Sequence, residues 1–203
     1  MGKIQALFWD VGGVLLSNAW DHTERDLAIE HFLLSKPEFE ERHTELVVPF
    51  EEGRLSLDEY LNRTVFYQSQ TFSREEFKQF MFSLSRPKVQ SLELARSLSS
   101  KCEYAMATIN NESRDLNKYR IQKFELAEIF DVFVSSCFVG IRKPDERIYR
   151  LALELTQFSA EECVFIDDRQ ENLTGAEKVG IRTVLMKDAQ QLRRDLQSLG
   201  IEA

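Results

Sequence analysis

Ile4-Gln5-Ala6-Leu7-Phe8-Trp9-Asp10-Val11-Gly12-Gly13-Val14-Leu15 opens the chain with an apolar run that ends in a carboxylate and breaks at once into a glycine pair. Such a run reads as a strand of a parallel sheet buried on both faces. The break holds Asp10 at the strand's carboxyl edge, where open α/β sheets bind their ligands. Three later segments set polar residues at or just past strand ends in the same way: Tyr104-Ala105-Met106-Ala107-Thr108-Ile109-Asn110-Asn111, Gly140-Ile141-Arg142-Lys143-Pro144-Asp145, and Val164-Phe165-Ile166-Asp167-Asp168. Their topology brings a carboxylate, polar hydrogen-bonders, a cation and a carboxylate pair to one edge.

Between the first and second of these strands the pattern changes. Leu57, Tyr60, Leu61, Thr64 and Val65 follow helical spacing behind a capping box of Ser56 and Glu59, and Phe77, Phe80, Met81 and Leu84 repeat the device behind Ser73 and Glu76. Earlier helices are expected from about Asp21 to Leu34 and from near Pro37, a good first-turn residue. From Pro87 helices and strands alternate. Helices are expected near 88–99, 113–124, 146–156, 172–178 and 190–199, and strands at 103–109, 132–135, 163–167 and 182–186. In the helix near 146–156, Ile148, Leu151, Ala152 and Leu155 share one face. Alternation of this kind implies crossover connections and a parallel sheet. The predicted fold is therefore α/β, a Rossmann-like parallel-sheet core of residues 1–16 and 87–203 with an all-helical insertion at 17–86.

Composition narrows the partners. The chain has 203 residues and a formal net charge of -8, which opposes a nucleic-acid or anionic-membrane surface because those require a basic face. An anionic substrate must then be met by local cations. Cys102, Cys137 and Cys163 are odd in number, widely spaced and within or beside predicted strands, so they are expected to be buried thiols rather than disulfides or metal ligands. The first apolar run is too short to span a bilayer or to serve as a secretory core, and the Met1-Gly2 start lacks the hydroxyl residue of a myristoylation signal. A cytoplasmic location is the expectation, and the sequence leaves the oligomeric state open.

The polar residues at the strand ends suit one chemistry. Asp10 and the Asp167-Asp168 pair repel one another unless a cation sits among them, and all-oxygen ligation with no His or Cys cluster favours Mg²⁺ over zinc. Lys143 supplies a cation to an anionic substrate, while Asn110 and Asn111 offer donors to phosphate oxygens. A carboxylate nucleophile, phosphate donors, a lysine and metal-binding acids together describe phosphoryl transfer through an aspartyl-phosphate. His22, His31 and His43 lie in the helical insertion with no partner suggesting a triad, and are read as solvated or packed.

In these motifs and their order, the chain resembles the haloacid dehalogenase superfamily of hydrolases over its whole length. The resemblance implies that Asp10 is the nucleophile and a Mg²⁺ ligand, that the Gly12 carbonyl is a further ligand, that Lys143 binds phosphate, and that Asp168, with Asp167 beside it, completes the metal site. It also implies that the helical insertion is that family's α-helical cap. Two positions depart from the usual pattern. The aspartate that such phosphatases carry two residues after the nucleophile, and use as acid and base, is Gly12 here, as in the similar glucose-1-phosphatases. The second motif's Ser or Thr is either Thr108 or is replaced by Asn110, and Asn110 is favoured as nearer the strand end.

The expected activity is Mg²⁺-dependent hydrolysis of a small phosphorylated metabolite, with a leaving group of low pKa lessening the need for an acid at position 12. Dehalogenation of a 2-haloacid is the first alternative, opposed by the Asp167-Asp168 pair. A catalytically weak protein that binds a phosphate ligand is the second, kept open by Gly12. Substrate specificity is expected from residues of the insertion that face the core, with Asn18, Trp20 and the loop Glu51-Glu52-Gly53-Arg54 as candidates.

Overall fold

The computed structural model describes residues 3–18 and 20–202, so the Met1-Gly2 start lies outside the described residues. Among these residues five parallel strands form one sheet: β1 (Ala6–Trp9), β2 (Ala105–Asn110), β3 (Val132–Ser135), β4 (Cys163–Asp167) and β5 (Arg182–Leu185), in the order β3-β2-β1-β4-β5. The alternation of side chains explains why β1 is apolar throughout. Leu7 and Trp9 pack into the cluster on one face of the sheet, and Ala6 and Phe8 into the cluster on the other. Trp9 stands opposite Thr108 on one side and Ile166 on the other, so the residue after it emerges at the centre of the carboxyl edge. Successive strands run outward from β1 in one direction to β3 and in the other to β5. Asp10 thus lies at the topological switch point.

Helices α1 (His22–His31), α2 (Lys36–Glu51), α3 (Leu57–Thr64) and α4 (Arg74–Ser83) follow β1. Both predicted capping boxes are formed, with Ser56 and Glu59 opening α3 and Ser73 and Glu76 opening α4. The four helices enclose an apolar cluster of their own, in which Phe39, Tyr60, Leu61, Phe77 and Met81 are fully buried. The chain leaves and re-enters the sheet layer at adjacent points: Leu16 bridges Pro87, Lys88 N donates to Leu15 O, and Ser17 N donates to Arg86 O.

Helices α5 (Val89–Ser100), α6 (Arg114–Lys123), α7 (Ser136–Val139), α8 (Glu146–Thr156), α9 (Gln170–Glu177) and α10 (Ala189–Ser198) cover the sheet. The short α7 has no periodic signal in the sequence; it forms where β3 stops and is closed by Gly140 at φ 70°. On α8 the buried stripe is Ile148, Tyr149 and Ala152, whereas Leu155 is 53% exposed. Tyr149 enters the core because its hydroxyl donates to Asn172 O and its ring meets Phe165 edge-on. The cysteine expectation is corrected in part. Cys163 is buried on β4 and Cys137 is buried on α7, but Cys102 is exposed in the turn before β2, at φ 54°.

Candidate active site

Asp10 N extends the β1 ladder by donating to Ile166 O, and the chain then turns so that Gly13 adopts φ +75°. The Asp10 carboxylate meets Lys143 Nζ at 2.8 Å, and the same ammonium lies 2.6 Å from Asp167 Oδ2. All three groups are buried. Burial drives the Asp10 carboxyl up to about 7 against the pull of Lys143. For Lys143, burial opposes the charge, but Asp10 and Asp167 outweigh it and hold the ammonium above the ordinary lysine range.

The two adjacent acids differ in what they can still bind. Asp167 Oδ1 accepts from Arg169 N and Asn172 Nδ2, and Oδ2 accepts from Lys143 Nζ and Asn172 Nδ2, so both oxygens are committed. Asp168 Oδ1 is buried with no partner. Burial and the neighbouring Asp167 push the Asp168 carboxyl up. Asp10, Asp167 and Asp168 can bring one oxygen each within 4.8 Å of one another. Three carboxylates against one directly bonded ammonium, an orphaned buried oxygen and an all-oxygen donor set fit a hard divalent cation.

At the end of β2 the side chains divide. Thr108 Oγ1 is buried without a partner, and neither Thr108 nor Asn110 lines the cavity beside Asp10. The Asn110 amide donates to Asn117 Oδ1 and accepts from Ser135 Oγ, which commits it to a buried network. Asn111 does line the cavity, and its side chain clamps the Lys143 backbone, accepting from Lys143 N and donating to Lys143 O. This pairing joins residues 32 positions apart and has no signature in the sequence.

Gly12 leaves room for a β-carbon at ordinary contact distances. A β-carbon built there would lie 3.7 Å from Asn18 Oδ1 and 3.9 Å from Arg120 Nη1. Arg120 is 2% exposed; its guanidinium donates to Glu112 Oε2 at 2.9 Å and to Ser17 O at 2.5 Å. Burial pushes Glu112 up to about 7 despite Arg120. Neither residue stands out in the sequence, since a charged side chain normally reads as solvated.

The cavity, of about 350 Å³, is also lined by Asn18, Trp20 and Glu51 from the predicted set, together with Arg25, His43, Phe50, Arg142 and Arg169. Glu52 and Arg54 pair with each other outside it. Two ion pairs join its walls: Arg169 with Asp21 at 2.5 Å and Arg142 with Glu51 at 2.7 Å. His22 is exposed and does not line the cavity, His31 stacks on Phe80, and His43 is buried in the cavity wall.

Comparison with known proteins identifies a family and a fold. The profile of the haloacid dehalogenase-like hydrolases matches residues 4–180. Over 120 residues the chain is 32% identical to bifunctional epoxide hydrolase 2 of Rattus norvegicus, a match covering 58% of the chain but only 21% of that longer protein. It is 26% identical over 199 residues to flavin mononucleotide hydrolase 1 of Arabidopsis thaliana, covering 98% of the chain and 79% of the relative. Among solved structures, an enzyme of the same family from Bacteroides thetaiotaomicron superposes with a TM-score of 0.79 at 20% identity, covering 96% of this chain and 99% of that one. The same enzyme is known in complex with magnesium and inorganic phosphate, a structure that superposes with a TM-score of 0.74 at 22% identity over 91% of this chain and 94% of that one.

Proposed function

The chain belongs to the haloacid dehalogenase-like hydrolases, and on that premise we propose that it is a Mg²⁺-dependent phosphatase acting on a small phosphorylated metabolite through an aspartyl-phosphate on Asp10. The observation that carries this reading is Lys143 held between Asp10 and Asp167 beside the unpartnered Asp168 oxygen. That arrangement suits a dianionic substrate rather than a haloacid, whose halide leaves without metal assistance. The magnesium-and-phosphate complex of the Bacteroides enzyme supports the same choice.

In this reading Asp10, the Gly12 carbonyl and Asp168 hold the metal, while Asp167 orients Lys143 and Asn172. When bound, the metal neutralises phosphate charge and lowers the barrier to attack by an anionic nucleophile. An Asp10 oxygen attacks phosphorus, the bond to the leaving oxygen breaks, and that oxygen departs with the electron pair. Lys143 neutralises charge on the transferring group, with its position fixed by Asn111. Water then attacks phosphorus, releasing phosphate and restoring the carboxylate. Gly12 supplies no proton to the leaving oxygen; the nearby Arg120 guanidinium offers charge in its place.

The helical insertion acts as the cap, joined to the core by the Arg169–Asp21 and Arg142–Glu51 pairs. The narrower likeness to glucose-1-phosphatases rests on Gly12 and belongs to this reading. So does a reducing, cytoplasmic setting, which free thiols at Cys102, Cys137 and Cys163 suit. No described helix is long and apolar enough to cross a membrane.

A panel of phosphomonoesters assayed with Mg²⁺ and with EDTA tests the proposal. Turnover abolished by EDTA is expected. Halide release from 2-haloacids without metal would replace it with a dehalogenase, and a ligand-induced thermal shift without any turnover would replace it with a binding protein.

A further inference from the structure

Trp20 and His43, which line the cavity, are joined through the buried Tyr60 in a relay that the phosphoryl chemistry does not use. Trp20 Nε1 lies 2.9 Å from Tyr60 Oη, and Tyr60 Oη lies 2.7 Å from His43 Nδ1. An indole N–H can only donate, so the Tyr60 oxygen is the acceptor in the first bond. The Tyr60 hydroxyl retains its one proton and a second lone pair; with that proton directed at His43, Nδ1 is the lone-pair nitrogen and the ring hydrogen sits on Nε2. Burial, reinforced by Arg25 and Arg142, pulls the His43 pKa down to about 4, against the opposing pull of Glu40 and Asp21. The imidazole is neutral at physiological pH, with Phe39 parallel to its ring.

His43 lines the cavity, and with Nδ1 committed to Tyr60 the polar group it can offer there is Nε2–H. The same cavity is lined by the apolar Trp20, Val47 and Phe50 and by Arg25 and Arg142, whose charges act on His43. The cations that line the cavity are each already paired with an acid, Arg25 with Glu40 at 2.8 Å and Arg120, Arg142, Arg169 and Lys143 with the partners given above. At His43 a second phosphate or a carboxylate on the substrate would therefore meet a neutral donor beside arginines already held by acids, and would lose its hydration without gaining an unpaired counter-charge.

We propose that His43, locked by Tyr60 and Trp20 as a neutral Nε2–H donor, is a specificity residue for the organic half of the substrate, and that this half is an uncharged group bearing hydroxyl, ether or carbonyl oxygens. The proposal rests on the phosphatase reading for the other half of the substrate. At about 350 Å³ the cavity is at the small end of ligand sites, which limits that group to a few carbons beyond the phosphate.

The test has two arms on the full chain. In the first, ¹⁵N-histidine NMR identifies the His43 tautomer without substrate: an Nε2–H ring that does not titrate between pH 5 and 8 is expected, and an Nδ1–H ring overturns the relay. In the second, KM is measured with Mg²⁺ for glycerol 1-phosphate, propyl phosphate and 3-phosphoglycerate. Wild type is expected to favour glycerol 1-phosphate by roughly three- to tenfold, the range of one net hydrogen bond. The preference should fall to near unity in His43→Phe and weaken in Tyr60→Phe, which leaves the imidazole free to change tautomer. A preference for 3-phosphoglycerate, or a preference unchanged in His43→Phe, overturns the proposal. If none of the three is hydrolysed, the phosphatase reading stands or falls on the wider phosphomonoester panel, separately from His43. His43 is then decided by its Nε2–H resonance, which must shift with glycerol 1-phosphate and stay in place with propyl phosphate.

Discussion

Gly13 and Asp168 approach so closely that a β-carbon on Gly13 would overlap the Asp168 carboxylate, and Gly13 holds φ +75° to allow it. The second glycine of the pair is thus required twice, by backbone conformation and by contact with the acid that has an unpartnered oxygen.

Gly13→Ala is therefore expected to displace Asp168 and to strain the turn. Strain at a left-handed position costs on the order of 1–3 kcal/mol. Urea unfolding should show that loss, and calorimetric titration with Mg²⁺ should show a weakened site. Wild-type metal affinity in this variant would mean that Asp168 is not a ligand.

Asp10→Asn keeps the shape of the side chain and loses its nucleophilicity. Turnover should fall below about a hundredth of wild type with unfolding behaviour largely kept. Steady-state assays beside thermal unfolding check both halves.

Asp168→Ala and Asp167→Ala should fail differently. The first removes an oxygen free to bind metal, so Mg²⁺ affinity falls. The second strips Lys143 and Asn172 of their shared partner, so stability falls by about 3–5 kcal/mol, as for a broken buried ion pair. Metal titration and urea unfolding of the two variants, read side by side, distinguish the roles.

With glycine at position 12, the leaving oxygen departs without a proton from that residue, so rates across a series of aryl phosphates should fall steeply as leaving-group pKa rises. Arg120→Gln combined with Glu112→Gln removes the buried pair together and avoids stranding one charge; the slope should steepen further. Single-turnover kinetics verify that chemistry is being measured. An unchanged slope would remove Arg120 from the reaction.

His43 links stability to pH. Its native pKa of about 4 lies below the ordinary 6.5, so the unfolded chain binds the proton more tightly between those values. Its contribution is complete above pH 6.5 and is lost as pH falls toward 4, on the order of 3 kcal/mol in all. Glu112, raised from 4.5 to about 7, acts in the opposite direction over an overlapping range. Comparing wild type with His43→Phe cancels that contribution. The wild-type advantage in urea unfolding should grow from pH 4.5 to 6.5 and then level off.

Much of the site's frame was legible because it lies in short stretches with local causes. The run from Ile4 to Asp10 declares a buried strand and its end, and the boxes at Ser56 and Ser73 declare helix starts, since capping is a contact over three residues. The stripe of α8 was misjudged at Leu155, because burial of Tyr149 depends on an acceptor 23 residues away, the Asn172 carbonyl. For the same reason Asn110 reads as a site residue from its place at a strand end, while the folded chain commits it to Asn117 and Ser135.

The sequence by itself determined the α/β alternation, the helical insertion, and the order in which Asp10, Lys143 and the Asp167-Asp168 pair reach the sheet edge, because periodicity and strand ends are properties of neighbouring residues. Only the tertiary structure decided how the acids divide their oxygens, that Asn111 clamps Lys143, that Arg120 faces the space beside Gly12, and that His43 belongs to the cavity. Each of these depends on which side chain consumes another's hydrogen-bonding capacity across many residues. That outcome is set by burial, where polar groups compete for the few partners within reach, and linear spacing does not record it.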